Sequence, residues 1–454
     1  MILDGPAAST ATPTSTATAT GRPGTVAGRS GGLHRSRHAV AGQISWSLLG
    51  ILVASLAQWV VIVVLARYGN PAMVGQYALG LAVAAPVLLV ASLALRTVQV
   101  TDARSRFGFD DYLRLRVLGM VAATVVIAVI AAFVGSGGAL VVVLVGVAKA
   151  LDGVGDIYLG LFQRHGRMRS ISLSMILNGV ATVLAVTTLL LITGSVAWAV
   201  LGSVAGSALG AIGYCVITAR PLRRGAGPVP DDDTRAPDGR RGAVGRLASL
   251  AALALPLGIA SGLASFTINL PRYLVGHELG TAALGIFAAI GYVVLAANAI
   301  FAAVAQTMLP RMSNLYADGQ VTALTRLVNR LVLATLGIGA LVVGAAAMLG
   351  RPALDLVYGA EYARHASVLT LLTVVAALSG AVFVVGTALS ALHRFGNQFT
   401  ASVATLLLTV VAAYVLIPRY GLDGAAWTVV LTVAGDGTLK ALMLRRALKG
   451  RPWT

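Results

Sequence analysis

A chain of 454 residues that is 57% hydrophobic and 11% charged, with a mean hydropathy of +0.85, is too apolar to remain a soluble globule. Its net charge of +18 would suit a nucleic-acid binder only if the basic residues formed one face, and they are instead dealt out between apolar runs. The single cysteine, Cys215, excludes a disulfide framework and a cysteine-based metal site.

Residues 1–40 are rich in Ala, Thr, Ser, Pro and Gly and too poor in large apolar groups to fold alone, so they read as a disordered cytoplasmic tail. No apolar core precedes Ala39, which argues against a cleaved signal peptide. From Gln43 onward, runs long enough to cross a bilayer recur at 43–64, 75–99, 117–134, 139–162, 171–193 and 196–218. After a polar stretch they resume at 247–270, 282–308, 327–348, 366–391, 399–417 and 425–443. These runs are apolar on all sides and too long for barrel strands, so the fold class is all-α, with about 12 transmembrane helices. The 52 glycines fit helices that approach closely in lipid.

The domains expected are a tail at 1–40, a six-helix bundle at 41–220, a linker at 221–246 containing Pro228, Pro230 and three aspartates from Asp231, and a second bundle at 247–448. Internal repetition supports the division. AWAVLGSVAG at 197–206 aligns without gaps on AWTVVLTVAG at 426–435, pairing Trp198 with Trp427 and Gly206 with Gly435. Six spans is an even number, so the two halves enter the membrane in the same direction, as parallel repeats. If the N-terminus is cytoplasmic, the loops on that side and both termini hold 27 of the 34 Lys and Arg residues, against five in the opposite loops. The positive-inside rule then places both termini in the cytoplasm, beside anionic lipids, and removes the nucleic-acid reading.

Ionisable groups within spans are costly and therefore informative. The fourth run carries Lys149, Asp152 and Asp156, with Gln163 at its end, all within an arc of about 60° on a helix. Two readings stay open. The stripe either faces a hydrated cavity that takes a polar substrate or a coupling proton or sodium ion, or it fixes packing through a Lys149/Asp152 pair with Asp156 bonded to a neighbour. Arg96, at the end of the second run, either snorkels to lipid phosphates or lines the cavity entrance. Asn269, Pro271, Arg272 and Tyr273 interrupt the end of the seventh run, where Arg272 is a substrate contact or an interface anchor. Asp436 and Lys440, four apart, read as a local ion pair. No catalytic constellation, phosphate-binding loop or metal spacing accompanies them, so the chain reads as a non-enzyme without a cofactor.

The block from Ser45 to Ala103 with VVLARYGNPAMVGQYALGLAVAAPV, then ALDGVGDIYLGLFQRHGRM and NLPRYLVGHELGTAALGIFAAIGYV, resembles the polysaccharide biosynthesis proteins of the multidrug/oligosaccharidyl-lipid/polysaccharide exporter superfamily. The resemblance spans nearly everything from Ser45 to Leu448. It implies two six-helix bundles in a V, moving undecaprenyl-diphosphate-linked glycans between leaflets of the plasma membrane by alternating access. It also implies that a glycan polymerase and glycosyltransferases are partners, and that Arg96, Lys149 and Arg272 meet the diphosphate or acidic sugars. The first run lacks a carboxylate, unlike cation-coupled drug exporters of the same superfamily, which leaves drug or metabolite export as the alternative.

Overall fold

The computed structural model describes residues 30–102, 107–134, 138–225, 242–392 and 395–449. The chain divides into two compact units, Met1–Ser45 and Trp46–Thr454, and the second holds almost all of the described fold. Every described element is a helix: α1 (Ser30–Tyr68), α2 (Pro71–Ser92), α3 (Leu95–Thr101), α4 (Phe109–Val134), α5 (Ala139–Arg164), α6 (Met168–Thr193) and α7 (Val196–Ser207). A π-helical stretch, Ala208–Tyr214, leads into α8 (Cys215–Gly225). There follow α9 (Ala243–Glu278), α10 (Gly280–Ala317), α11 (Val321–Val357), α12 (Ala360–Ala363), α13 (Ala366–Ala391) and α14 (Phe395–Lys449).

Helices prevail because a lipid-facing backbone must satisfy its own polar groups. Ten helical runs are long and apolar enough to span a membrane. Helix α5 is as long but carries four charged residues, and α14 is two arms joined at Gly421, whose φ of 59° only glycine adopts readily. Adding α5 to the ten and counting both arms gives twelve passes among the described residues. Local signals set the boundaries: at the start of α2 the Asn70 side chain caps the Met73 amide at 3.0 Å, with Pro71 in the first turn. The protein is therefore an all-α, multi-pass membrane protein.

Several boundaries differ from the sequence expectation, and α1 already begins at Ser30, within the stretch read as a disordered tail. Helix α4 begins at Phe109 and draws Arg116 into its buried face, although Arg116 reads as a loop residue ahead of the apolar run. Helix α9 continues through Pro271 to Glu278 without interruption. Proline costs that helix one hydrogen bond, to the Thr267 carbonyl, which a packed membrane helix tolerates. Helix α11 likewise runs nine residues past 348, to Val357, before α12 follows.

Packing falls into two sets. In one, α2, α4, α5, α6 and α7 lie against one another; in the other, α13 packs on α10, α11 and α14, while α9 packs on α10 and α14. Helix α2 joins the sets by lying against both α9 and α10. Near the N-terminal end of α2 the approach is backbone to backbone. A Cβ on Gly75 would sit 1.7 Å from the Thr281 carbonyl oxygen, and one on Gly285 1.9 Å from that of Pro71. At the same end Arg67, from the last turn of α1, donates to the carbonyls of Asp355, Leu356 and Val357, which close α11. Trp59 Nε1 donates to the Tyr358 hydroxyl at 2.9 Å, and that hydroxyl donates to the Ala289 carbonyl at 3.1 Å.

Candidate functional site

The charged stripe on α5 resolves into two adjoining clusters. In the first, Lys149 Nζ lies 3.0 Å from Asp152 Oδ2, while Asn178 of α6 donates to Asp152 Oδ1 at 2.9 Å. Thr182, one turn further along α6, donates to Asn178 Oδ1 at 3.4 Å. Both oxygens of Asp152 are thus engaged, by a cation on its own helix and an amide on the next.

In the second cluster, Asp156 accepts from Arg96 Nη1 at 2.8 Å and from Arg116 Nη2 at 3.4 Å. Gln163, two turns further on, accepts from Arg96 Nε and Nη2 at 3.3 and 3.0 Å. Arg96 is aimed at α5 by a break between α2 and α3. Leu93 and Ala94 adopt φ of 51° and 46°, and α3 restarts at a new angle. Non-glycine residues at positive φ are uncommon, and each costs about 1–3 kcal/mol that surrounding packing must hold. Here α9 supplies it: a Cβ on Gly258 would lie 2.8 Å from the Val90 carbonyl oxygen and 2.9 Å from Leu93 Cα.

Arg116 is the member sequence reading missed. Its side chain is 3% exposed and its Nε has no partner. The signal was present: Tyr112, Arg116, Met120, Ala123 and Ile127 recur at helical spacing, and all five are buried. Together the two clusters hold three cations, Arg96, Arg116 and Lys149, against two carboxylates, Asp152 and Asp156.

Of the expected residues, Arg96, Asp156 and Gln163 meet directly, Lys149 and Asp152 meet one turn away, and Arg272 lies apart on α9. Arg272 Nη1 donates to Asn269 Oδ1 at 3.0 Å and has no carboxylate partner among the described residues. Its neighbour Tyr273 donates to the Ala82 carbonyl of α2, which turns this stretch of α9 toward the first set of helices. Tyr292 of α10 lies within electrostatic reach of both Arg272 and Lys149. Asp436 and Lys440 form the expected local pair at 2.7 Å, with Thr405 donating to the same carboxylate at 3.3 Å.

A cavity of about 250 Å³ adjoins the first cluster, between α1, α2, α5, α6 and α7. Lys149, Asp152 and Asp156 reach its wall, with Tyr77 and Asn178, whereas Arg272 does not. Small residues, among them Ala54, Gly155 and Gly179, leave the space.

The family model described as polysaccharide biosynthesis protein matches residues 40–316, well over half of the chain, and takes in all of the α5 stripe and Arg272. The chain belongs to the polysaccharide biosynthesis protein family. Among curated proteins, this family member is 23% identical over 383 residues to the capsular polysaccharide biosynthesis protein CapF of Staphylococcus aureus, covering 84% of this chain and 93% of CapF. Among solved structures it is similar to the lipid II flippase MurJ in an inward closed conformation, with a TM-score of 0.69 and 12% identity over 90% of this chain and 88% of MurJ. A multidrug-resistance MATE transporter of the MOP superfamily, in its inward-facing conformation, gives a TM-score of 0.63 and 13% identity, covering 88% and 98%. At such identities these structures establish a shared fold.

Proposed function

We propose that this polysaccharide biosynthesis protein is a flippase that carries an undecaprenyl-diphosphate-linked glycan across the plasma membrane by alternating access of two six-helix bundles, α1 to α8 and α9 to α14. The observation that carries this reading is that Lys149, from the first half, and Arg272, from the second, both act electrostatically on Tyr292 of α10. Two cations from opposite halves suit one diphosphate, whose oxygens exchange for the partners each cation holds in the empty state. Lys149 would leave Asp152 to Asn178, and Arg272 has only an amide to give up. MurJ is a lipid II flippase and CapF a capsular polysaccharide biosynthesis protein, and a lipid-linked glycan cargo is in keeping with both.

The test is genetic and chemical together. Loss of the gene should strand a lipid-linked oligosaccharide in the inner leaflet and deplete a surface polysaccharide. Lys149→Ala and Arg272→Ala should insert at normal abundance and fail to restore export, each by tenfold or more for a lost charge-assisted contact of about 1.5–3 kcal/mol. Unchanged surface glycan with raised sensitivity to cationic drugs would replace this reading with drug export, and full export by Lys149→Ala would remove Lys149 from the site.

A further inference from the structure

Resting on the flippase reading, we propose that the cavity beside Lys149 is a subsite for the single sugar ring attached to the diphosphate. Three polar side chains in its wall have unspent hydrogen-bonding capacity. Ser203 Oγ, 6% exposed as a residue and buried beside the Tyr77 hydroxyl, meets no partner in hydrogen-bonding geometry. The Gln58 amide and the Ser207 hydroxyl line the same space and make no side-chain hydrogen bond among the described residues. Buried polar groups are ordinarily paired, so the unpaired Ser203 hydroxyl, with the Gln58 amide and the Ser207 hydroxyl open to the same cavity, calls for a ligand or for water.

The ligand class follows from charge and size. Asp152 and Asp156 are each already bonded to a basic side chain, and the local balance of three cations to two carboxylates disfavours a cation in this space. An extended anion is better matched by Lys149 in the cavity wall. What remains for the interior is a neutral group that both donates and accepts hydrogen bonds on several sides, which is the chemistry of a polyol ring. About 250 Å³ falls below the roughly 300–1,000 Å³ of sites for drug-sized ligands, so one ring fits and a glycan chain does not. With the diphosphate held by Lys149 and Arg272, the ring placed in this pocket is the one directly bonded to it, and the remaining sugars extend elsewhere.

The experiment measures binding to the full-length protein in lipid nanodiscs. The probes are bare undecaprenyl diphosphate and a panel of undecaprenyl diphosphates bearing one sugar each. The wild type should bind at least one single-sugar probe about tenfold more tightly than the bare lipid, the equivalent of about 1.4 kcal/mol. Ser207→Leu, which fills the cavity, and Gln58→Ala, which only removes an amide, should erase that preference and leave affinity for the bare lipid unchanged. Lys149→Ala should weaken both kinds of probe. Equal binding of bare and sugar-bearing probes by the wild type would overturn the sugar subsite and leave a water-filled cavity, with the flippase reading intact. Retention of the preference by Gln58→Ala and Ser207→Leu, both with wild-type melting behaviour, would overturn it as well. Failure of the wild type to bind any probe would instead bring down the diphosphate reading on which the subsite rests.

Discussion

Asp156 shows how much one carboxylate is asked to hold. It faces Arg96 across a break in the backbone and Arg116 from a helix buried to 3% of its side chain's free exposure. Of these, Arg116 is the group that cannot turn to solvent. Removing the carboxylate therefore leaves a buried guanidinium uncompensated, a loss that reaches about 3–5 kcal/mol for fully buried pairs and less here, because Asp156 itself is one-third exposed. Asp156→Asn should lower the thermal midpoint of the purified protein. The double variant Asp156→Asn/Arg116→Met, which withdraws both charges at similar volume, should recover most of it. A midpoint unmoved by Asp156→Asn would show that Arg116 draws its compensation from elsewhere. The local Lys149/Asp152 pair and the shared face of Asp156 and Gln163 were legible in the sequence, because helical spacing alone puts those residues on one side. Which cation each carboxylate meets was not legible, since Arg96 and Arg116 arrive from other helices.

Among the elements, the junction of α2 and α3 is the least expected. Leucine and alanine are good helix formers, and nothing in SLALRTV announces two successive residues in the left-handed region. The break exists because tertiary contacts impose it: α9 presses Gly258 and Gly262 against Val90 and Leu93, while Arg96 is pulled toward α5. Length and apolar character of the helices were readable because the bilayer sets them, whereas helix ends answer to packing, as α4 and α9 both show. The strain at Ala94 is measurable. Ala94→Gly removes the steric cost of a left-handed residue, about 1–2 kcal/mol, against a smaller entropic loss, so melting should rise slightly. Ala94→Val, with a branched Cβ at the same φ, should lower it. The opposite order would mean that the break is relaxed in solution.

At the scale of the molecule, the reading depends on which way the chain lies in the membrane. The loops that would face the cytoplasm hold most of the basic residues, so both termini and the linker at 221–246 are expected on that side. The chain offers a convenient test, because its only cysteine, Cys215, is buried. In a Cys215→Ser background, single cysteines placed in the linker and at the C-terminus should resist a membrane-impermeant thiol reagent in intact cells and react once the cells are opened. Labelling of either in intact cells would invert the orientation and with it the direction assigned to transport.

Arg67 gives the contact between α1 and the end of α11 a particular character. Its guanidinium holds no carboxylate there; it grips three backbone carbonyls at the end of α11, groups whose charge is a fixed dipole. A clasp of that kind has no proton to gain or lose on its accepting side. Acidity cannot unfasten it there, and a proton gradient finds nothing to pull on. On the flippase reading, whatever loosens this contact between α1 and α11 must act through the helices themselves and not through a proton taken up by the clasp.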